Sequence, residues 1–430
     1  MPGHLFRTGP RGFGRGAALT LVFASVLATA AATDSLPRGD GEAAPIQTRA
    51  VSAAVDGRGP VDSGSGTGSA DGSGPGDAPA DGPGNGPGTR PVDRDALADA
   101  AADAVADGKS GTEAAEEVVS RSGDRWGAVY DAGEYEEFED ALDGAYTGVG
   151  LWARRGPDGR VEVARVQPGG PAARAGLREG DRLRTVDGRR VAERSVPEVV
   201  ALLRGDGTGR DGAARAGTRV ALGVERDGRL WTETLRRARL STEPVTVRDL
   251  PGGDVLIRIA AFTKGSGERV RGAVRAARPG AGILLDLRGN SGGLVTEAVR
   301  SASALLDGGL VATYDVRGKQ RALYAEQGGD TTRPVVALVD GGTMSAAELL
   351  TGALQDRGRA VTVGSRTFGK GSVQMPSRLP GGSVAELTVG HYRTPAGHSV
   401  DGRGITPDLT VTGRAQERAQ TVLTGLGGGS

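Results

Sequence analysis

Two side chains with complementary chemistry stand 25 residues apart, Ser345 and Lys370, each in a glycine-rich stretch. Ser345 ends the run from Asp340 (DGGTMS), between a strand pattern and a helix pattern. Lys370 lies in the run from Gly364 to Gln374 (GSRTFGKGSVQ), flanked by Gly369 and Gly371. A lysine can take a proton from a serine hydroxyl if its pKa falls from ~10.4 toward neutrality, and burial lowers it by up to ~3–5 units. A serine activated by a desolvated lysine is an established form of nucleophilic catalysis. A third corner, Asp286 to Gly293 (DLRGNSGG), also joins a strand to a helix. Free N–H groups at such a helix start can hold an anion or a developing oxyanion.

Each corner has a plainer reading. DLRGNSGG can be a tight strand-to-helix turn. Ser345-Ala-Ala-Glu348 is a capping-box sequence, in which the serine only caps. Lys370 can be a structural lysine bonding carbonyls. The run through Lys370 also nearly matches a phosphate loop, but Gly371 stands where that loop needs Ser or Thr, and strand and turn patterns follow it, not a helix.

The elements that would carry these corners alternate. Residues 283–287 (ILLDL), 335–340 (VVALVD) and 360–364 (AVTVG) read as strands. Helices are expected over 294–306 and from Ala346, where Leu349, Leu350, Ala353 and Leu354 recur at one-face spacing. Strands separated by crossover helices give a partly parallel sheet covered by helices, with function gathered at strand ends. Residues 147–241 instead read as short strands with turns, including a hairpin with Asp227-Gly228 at its tip and a short helix from Val196 to Leu203. Ahead of them, Leu97, Ala100, Ala101 and Val105, then Ala114, Val118 and Val119, indicate helices, and Tyr135, Phe138, Leu142 and Tyr146 a further one.

Composition excludes several function classes. Basic and acidic residues are equal at 53 each, which removes the electrostatic case for a nucleic-acid partner. There is no cysteine, hence no disulfide framework, thiolate metal site or cysteine nucleophile. Three histidines, His4, His391 and His398, do not suffice for a multi-histidine metal centre, so no metal or other cofactor is expected. A Ser–His–acid site would have to draw on His391 or His398. Only four basic residues are lysine (Lys109, Lys264, Lys319 and Lys370), so a retained lysine is slightly informative, because lysine can deprotonate and arginine cannot.

Arg7, Arg11 and Arg15 precede an apolar run from Ala17 to Ala32 that ends in small residues. This reads as a secretory signal over 1–33, or an uncleaved membrane anchor, and places the bulk of the chain outside the cytoplasm. Residues 34–94 are rich in Gly, Pro, Asp and Ser and read as a flexible linker. A helical segment over 95–145, a β-rich module over 146–241, a domain over 242–415 and a flexible tail over 416–430 complete the expected organisation.

The order of these features, with DLRGNSGG, TFGKGSVQ, PAARAGLREGDRLRTVDG and HYRTPAGHSVDGRGITPDL, resembles the carboxyl-terminal processing proteases from about Tyr135 to Leu409. The resemblance implies a PDZ module followed by a Ser–Lys serine endopeptidase domain of the cell envelope. By motif it places the nucleophile on Ser345, the base on Lys370 and a supporting glutamine on Gln374. The backbone N–H groups of Ala346 and Gly292 would form the oxyanion hole. Here Thr343-Met-Ser-Ala-Ala347 replaces the family's usual S-A-S-A-S, and Ser291 stands where Pro or Gly is usual. A PDZ module captures a C-terminal carboxylate in a nest of N–H groups, for which Gly148, Val149, Gly150 and Leu151 are the candidates. Protein or peptide substrates recruited by their C-terminal tails are therefore the expected partners. A different class of function, an inert PDZ scaffold that only docks tails, fits the same architecture.

Overall fold

A computed structural model describes residues 92–156, 158–205, 215–316 and 319–427. The expected targeting segment, and the linker up to residue 91, lie outside the described residues. Among those described, no helix is long and apolar enough to cross a membrane.

The N-terminal segment opens with the helices Arg94–Ala106 and Gly111–Ser122, capped by the side chains of Asp93 and Ser110. Their buried faces carry Leu97, Ala101 and Ala104, then Ala115 and Val119. Val105, expected inward, is 44% exposed, and Ala104 takes its place. The short strand β1 (Ala128–Tyr130) follows, then the helix Ala132–Leu142, entered through a full Asp131–Glu134 capping box. Tyr146 falls beyond that helix, on β2 (Ala145–Gly148). The rings of Tyr130 and Phe138 stack with centroids 5.3 Å apart.

The β-rich module consists of β3 (Leu151–Arg155), β4 (Val161–Val166), β5 (Arg182–Val186), β6 (Arg189–Arg190), β7 (Arg219–Arg226) and β8 (Arg229–Arg236). Its sheet order is β3-β4-β5-β7-β8, with β6 on β5. Period-two alternation in β7 sends Val220, Leu222 and Val224 inward, where they meet Val199, Leu202 and Leu203 of the helix Val196–Arg204. At the β7–β8 tip Asp227 and Gly228 both take positive φ, 51° and 77°, as a two-residue hairpin of this hand requires. The strand β9 (Ala238–Ser241) then pairs antiparallel with β2, so the entry to and exit from the module form one ribbon.

The remaining strands are β10 (Val245–Asp249), β11 (Val255–Ile259), β12 (Ile283–Asp286), β13 (Leu310–Val316), β14 (Lys319–Tyr324), β15 (Val335–Val339), β16 (Val361–Gly364), β17 (Ser372–Arg378), β18 (Val384–Arg393) and β19 (Leu409–Thr410). One sheet runs β10-β11-β12-β15-β16-β19, parallel throughout except for the edge strand β10. Its two faces are separately covered. Ile257, Ile283, Leu285, Ala337 and Val339 pack on the helices Ser266–Ala276, Val295–Ser303 and Ala346–Asp356. Leu256, Leu284, Val336 and Leu338 face the other way and meet Ala419 and Leu423.

Those last two residues belong to the helix Ala415–Gly427, so residues 416–427 of the region read as a flexible tail are instead the cover of the second sheet face. The reason is burial: a central strand apolar on both sides needs a helix on both sides. A second sheet joins β17, β18, β13 and β14. β1, from the N-terminal segment, adds to it antiparallel on β18, with Val129 opposite Ala385. Leu97, Ala101, Val119 and Val129 share a core with Leu379, Ala385 and Leu387. The helical segment is thus built into this domain.

Candidate active site

The three corners converge at the carboxyl ends of β12, β15 and β16. Asp286, at the end of β12, is buried and is held by both nitrogens of the Arg288 fork (each 2.8 Å) and by Arg258 (3.1 Å). Asp340, at the end of β15, takes the N–H groups of Gly289 and Gly342, each at 2.9 Å. The Thr343 hydroxyl donates to the carbonyl of Leu287 (3.0 Å), and Met344 N–H to that of Asn290 (2.8 Å). The first two corners are therefore one bonded unit.

Ser345 is the product of that unit. Its backbone sits at φ 52°, ψ −117°, a region costly for a residue with a side chain. A sharp strand-to-helix turn of this kind presents a nucleophile at the positive end of a helix. Gly292 (φ 101°) lies against it. A Cβ there would stand 2.9 Å from Ser345 Cβ and 3.0 Å from the Met344 carbonyl oxygen. The Tyr392 hydroxyl donates to the Ser345 carbonyl (3.0 Å). Burial, with Glu348 and Asp401 nearby, pushes that phenol well above its usual range.

Glu348, three residues into the helix and fully buried, joins the serine corner to the lysine corner. Its Oε2 accepts the N–H of Ser345 (3.0 Å) and that of Lys370 (2.8 Å). Its Oε1 accepts the Thr367 hydroxyl (2.6 Å) and Gly369 N–H (2.7 Å). Burial raises the pKa of this carboxyl, and the hydrogen bonds from Thr367, Gly369, Lys370 and Ser345 oppose that rise. The capping-box reading of Glu348 is thus correct for its link to Ser345 N–H, but the same carboxylate also fixes the backbone of Lys370.

The glycines beside Lys370 have a packing cause. A Cβ on Gly369 (φ 93°) would stand 2.9 Å from Gly404 N, and one on Gly371 2.4 Å from Asp401 N. The lysine loop lies directly on the backbone of residues 401–404. Burial lowers the Lys370 pKa, with Glu386 and Asp124 opposing. Nζ lies 5.1 Å from the centroid of the Trp126 ring. It makes no hydrogen bond to Ser345 Oγ in this conformation.

Gln374 makes no hydrogen bond to the lysine: its Nε2 donates to Ser372 Oγ (2.7 Å) and Thr388 Oγ1 (3.4 Å). Gly292 is at the nucleophile, but its N–H already donates to Asn290 Oδ1 (2.8 Å), so it is not a free donor here. The histidines stand apart from the serine. His391 lies 3.6 Å from Asp401 and His398 3.7 Å from Asp356, and neither bonds Ser345. Among the described residues no cluster of three or more His, Asp or Glu is placed to hold a metal ion.

Sequence reasoning missed Trp126, Asp124 and Glu386 around the lysine. Glu386 comes from β18, the hairpin partner of β17, whereas Asp124 and Trp126 come from the N-terminal segment, which the long-range pairing of β1 with β18 brings there.

In the β-rich module, Gly148, Val149, Gly150 and Leu151 line a groove of about 470 Å³, with Arg165, Leu203 and Arg204 on its other walls. Gly150 has φ 74°. The carbonyls of Val149 and Gly150 are held by the N–H groups of Ala172 and Gln167, each at 2.8 Å.

One module thus carries a groove, and the next a strained serine and a half-buried lysine whose backbone N–H groups share the Glu348 carboxylate. Residues 162–210 match the PDZ domain family, and residues 255–411 match Peptidase family S41. The carboxyl-terminal-processing protease of Synechocystis sp. is 33% identical over 308 residues, which cover 69% of this chain and 70% of that one. "Carboxyl-terminal-processing peptidase 2, chloroplastic" of Arabidopsis thaliana is 33% identical over 315 residues, covering 69% of this chain and 59% of that relative's own length. A solved structure, the photosystem II D1 C-terminal processing protease, is 30% identical with a TM-score of 0.45, covering 70% of this chain and 81% of that one. The chain belongs to the carboxyl-terminal processing proteases of peptidase family S41.

Proposed function

We propose that this chain is a serine endopeptidase that cleaves protein or peptide substrates by Ser–Lys acyl-enzyme chemistry. The observation that carries the reading is the single buried carboxylate of Glu348, which accepts the backbone N–H of both Ser345 and Lys370. Ser345 Oγ attacks the peptide carbonyl, and Lys370 Nζ accepts its proton and returns it to the leaving amine. Water then hydrolyses the acyl-enzyme through the same pair. Burial that lowers the lysine pKa supports its use as a base.

Closing the pair requires Nζ to come within hydrogen-bond reach of Ser345 Oγ, a movement of the flexible lysine stem. Catalytic hydrogen bonds are often long before substrate binds. Ala346 N–H, at the first turn of the helix, is the oxyanion donor in this reading. Gly292 N–H joins it as a three-centre donor shared with Asn290 Oδ1. Gln374 supports the lysine pocket through Thr388 and not by direct contact.

The groove at Gly148–Leu151 takes the substrate's C-terminal tail as an added strand. The basic n-region and apolar run of residues 7–32 support export, as a secreted or membrane-tethered enzyme. The open Ser345–Lys370 pair is the observation that favours the alternative of an inert tail-binding scaffold. A serine-directed fluorophosphonate probe separates the two. Labelling of wild type but not Ser345→Ala supports the peptidase. Loss of the probe signal from both, with retained binding of a C-terminal peptide, supports the scaffold.

A further inference from the structure

The turn that follows the helix Gly111–Ser122 reaches into the lysine pocket. Asp124 fixes it. Its Oδ1 accepts the N–H of Trp126 (3.0 Å), the N–H of Gly127 (2.9 Å) and the hydroxyl of Thr388 (2.8 Å). Its Oδ2 accepts Thr388 N–H (2.8 Å). From Ala128 the chain is pinned again, in register on β18 opposite Glu386. The backbone of Trp126 is thus held on both sides, and its ring has a defined place. Lys370 Nζ lies 5.1 Å from the ring centroid, inside the ~6 Å reach of a cation–π contact. Phe368, on the lysine loop itself, meets the same ring at 5.7 Å and 58°. Among the described residues Nζ has neither an ion pair nor a hydrogen bond, so the indole is its defined close partner there.

We propose that Trp126 is a positioning residue of the active site, seating the Lys370 ammonium on its indole face in the free enzyme. The proposal builds on the assignment of Lys370 as the base. It makes the N-terminal segment part of the catalytic pocket.

The other charged groups around this pair come from several elements. Glu386 on β18 and Asp124 in the turn favour the ammonium. The Arg125 guanidinium lies 4.7 Å from the Trp126 centroid and competes for the ring. Glu348 receives the Lys370 N–H, and Asp401 receives that of Gly371 (3.2 Å).

Against burial, which drives the amine toward neutrality, the ring and the two carboxylates hold the charge. Removing the ring's face destabilises the ammonium, so Lys370 should lose its proton at lower pH. A cation–π contact of ordinary strength corresponds to a midpoint shift of about 0.4–1.5 pH units. A ring that only filled space would act in the opposite sense, because its loss would admit water and raise the midpoint.

The test is a titration of the full chain carrying ¹³Cε-lysine, followed by NMR. With four lysines in the sequence, the Lys370 signal is assigned by its absence in Lys370→Ala. The expected result is a Lys370 midpoint about 0.4–1.5 pH units lower in Trp126→Leu, with a smaller drop in Trp126→Phe, which keeps a weaker ring face. If Trp126→Leu does not fold, the Phe variant decides alone. An unmoved or raised midpoint in the folded variants overturns the proposal. The assignment of Lys370 as the base fails separately, if Lys370→Ala cleaves substrate as fast as wild type.

Discussion

Replacing Glu348 by glutamine keeps the shape of the side chain and removes its charge and half of its acceptor capacity. Four donors converge on the native carboxylate: Ser345 N–H, Lys370 N–H, Gly369 N–H and the Thr367 hydroxyl. The least costly placement turns the new amide nitrogen toward Thr367 and Gly369. The threonine hydroxyl can then accept instead of donate, but Gly369 N–H faces another donor. One buried orphaned donor costs ~1–3 kcal/mol, and the two bonds that remain on Oε1 fall from charge-assisted to neutral, ~1 kcal/mol each. Relief of burying an ionised carboxylate offsets part of this. The net expectation is a loss of ~2–4 kcal/mol, and at ~2–4 °C per kcal/mol a drop in Tm of roughly 5–15 °C. The orphaned N–H adjoins the proposed base, and a displacement of ~1 Å at a catalytic group costs ~10²-fold in rate. Thermal unfolding by circular dichroism and kcat on an unfolded protein substrate are the two assays. A Glu348→Gln variant with the Tm and kcat of wild type would refute the claim that one carboxylate positions both catalytic residues.

Other perturbations test other parts of the account. Gly292→Ala places a methyl 2.9 Å from Ser345 Cβ at a φ of 101°, and kcat should fall ~10²-fold while tail-peptide binding, read by fluorescence anisotropy, stays unchanged. Burial raises the Glu386 pKa to about 7, with Lys370 opposing. A raised folded-state pKa contributes stability that is present below the unfolded value and is lost as pH rises from about 4.5 through about 7. Glu386→Gln should therefore flatten the fall in Tm across that window, and an unchanged slope counts against the burial of this group. Asp124→Ala removes the acceptor of four hydrogen bonds in a partly exposed turn, and a loss of ~2–4 kcal/mol is expected by urea unfolding, together with reduced kcat from a displaced Trp126.

Local patterns made much of this molecule legible in advance. The strands Ile283–Asp286, Val335–Val339 and Val361–Gly364 and the helix Ala346–Asp356 carry strong periodicity, and the structure has them where the sequence places them. The Asp227-Gly228 hairpin is equally local, because the turn itself demands residues that tolerate positive φ. The strands β13 and β14 escaped notice, since Leu310–Val316 and Lys319–Tyr324 mix polar and apolar residues without clean alternation. The helix Ala415–Gly427 reads as a tail in the sequence because only Ala419 and Leu423 are fully buried in it, too few to stand out against thirteen residues.

At the site, residue type and motif order pointed to Ser345 and Lys370, but their shared anchor did not show. Glu348 looked like half of a capping box, and only the folded chain reveals that the lysine loop returns to the same carboxylate. Trp126 was invisible for a related reason. Its place beside Lys370 depends on β1 joining β18 across more than 250 residues, a pairing that no local pattern encodes.

The most direct measurement of the central claim is cleavage by the purified chain, comparing wild type with Ser345→Ala and Lys370→Ala. The substrate is an unfolded protein with a free apolar C-terminus, and mass spectrometry reads the fragments. The account predicts fragments from wild type alone. Equal cleavage by all three proteins would contradict the assignment of Ser345 and Lys370 as the catalytic pair.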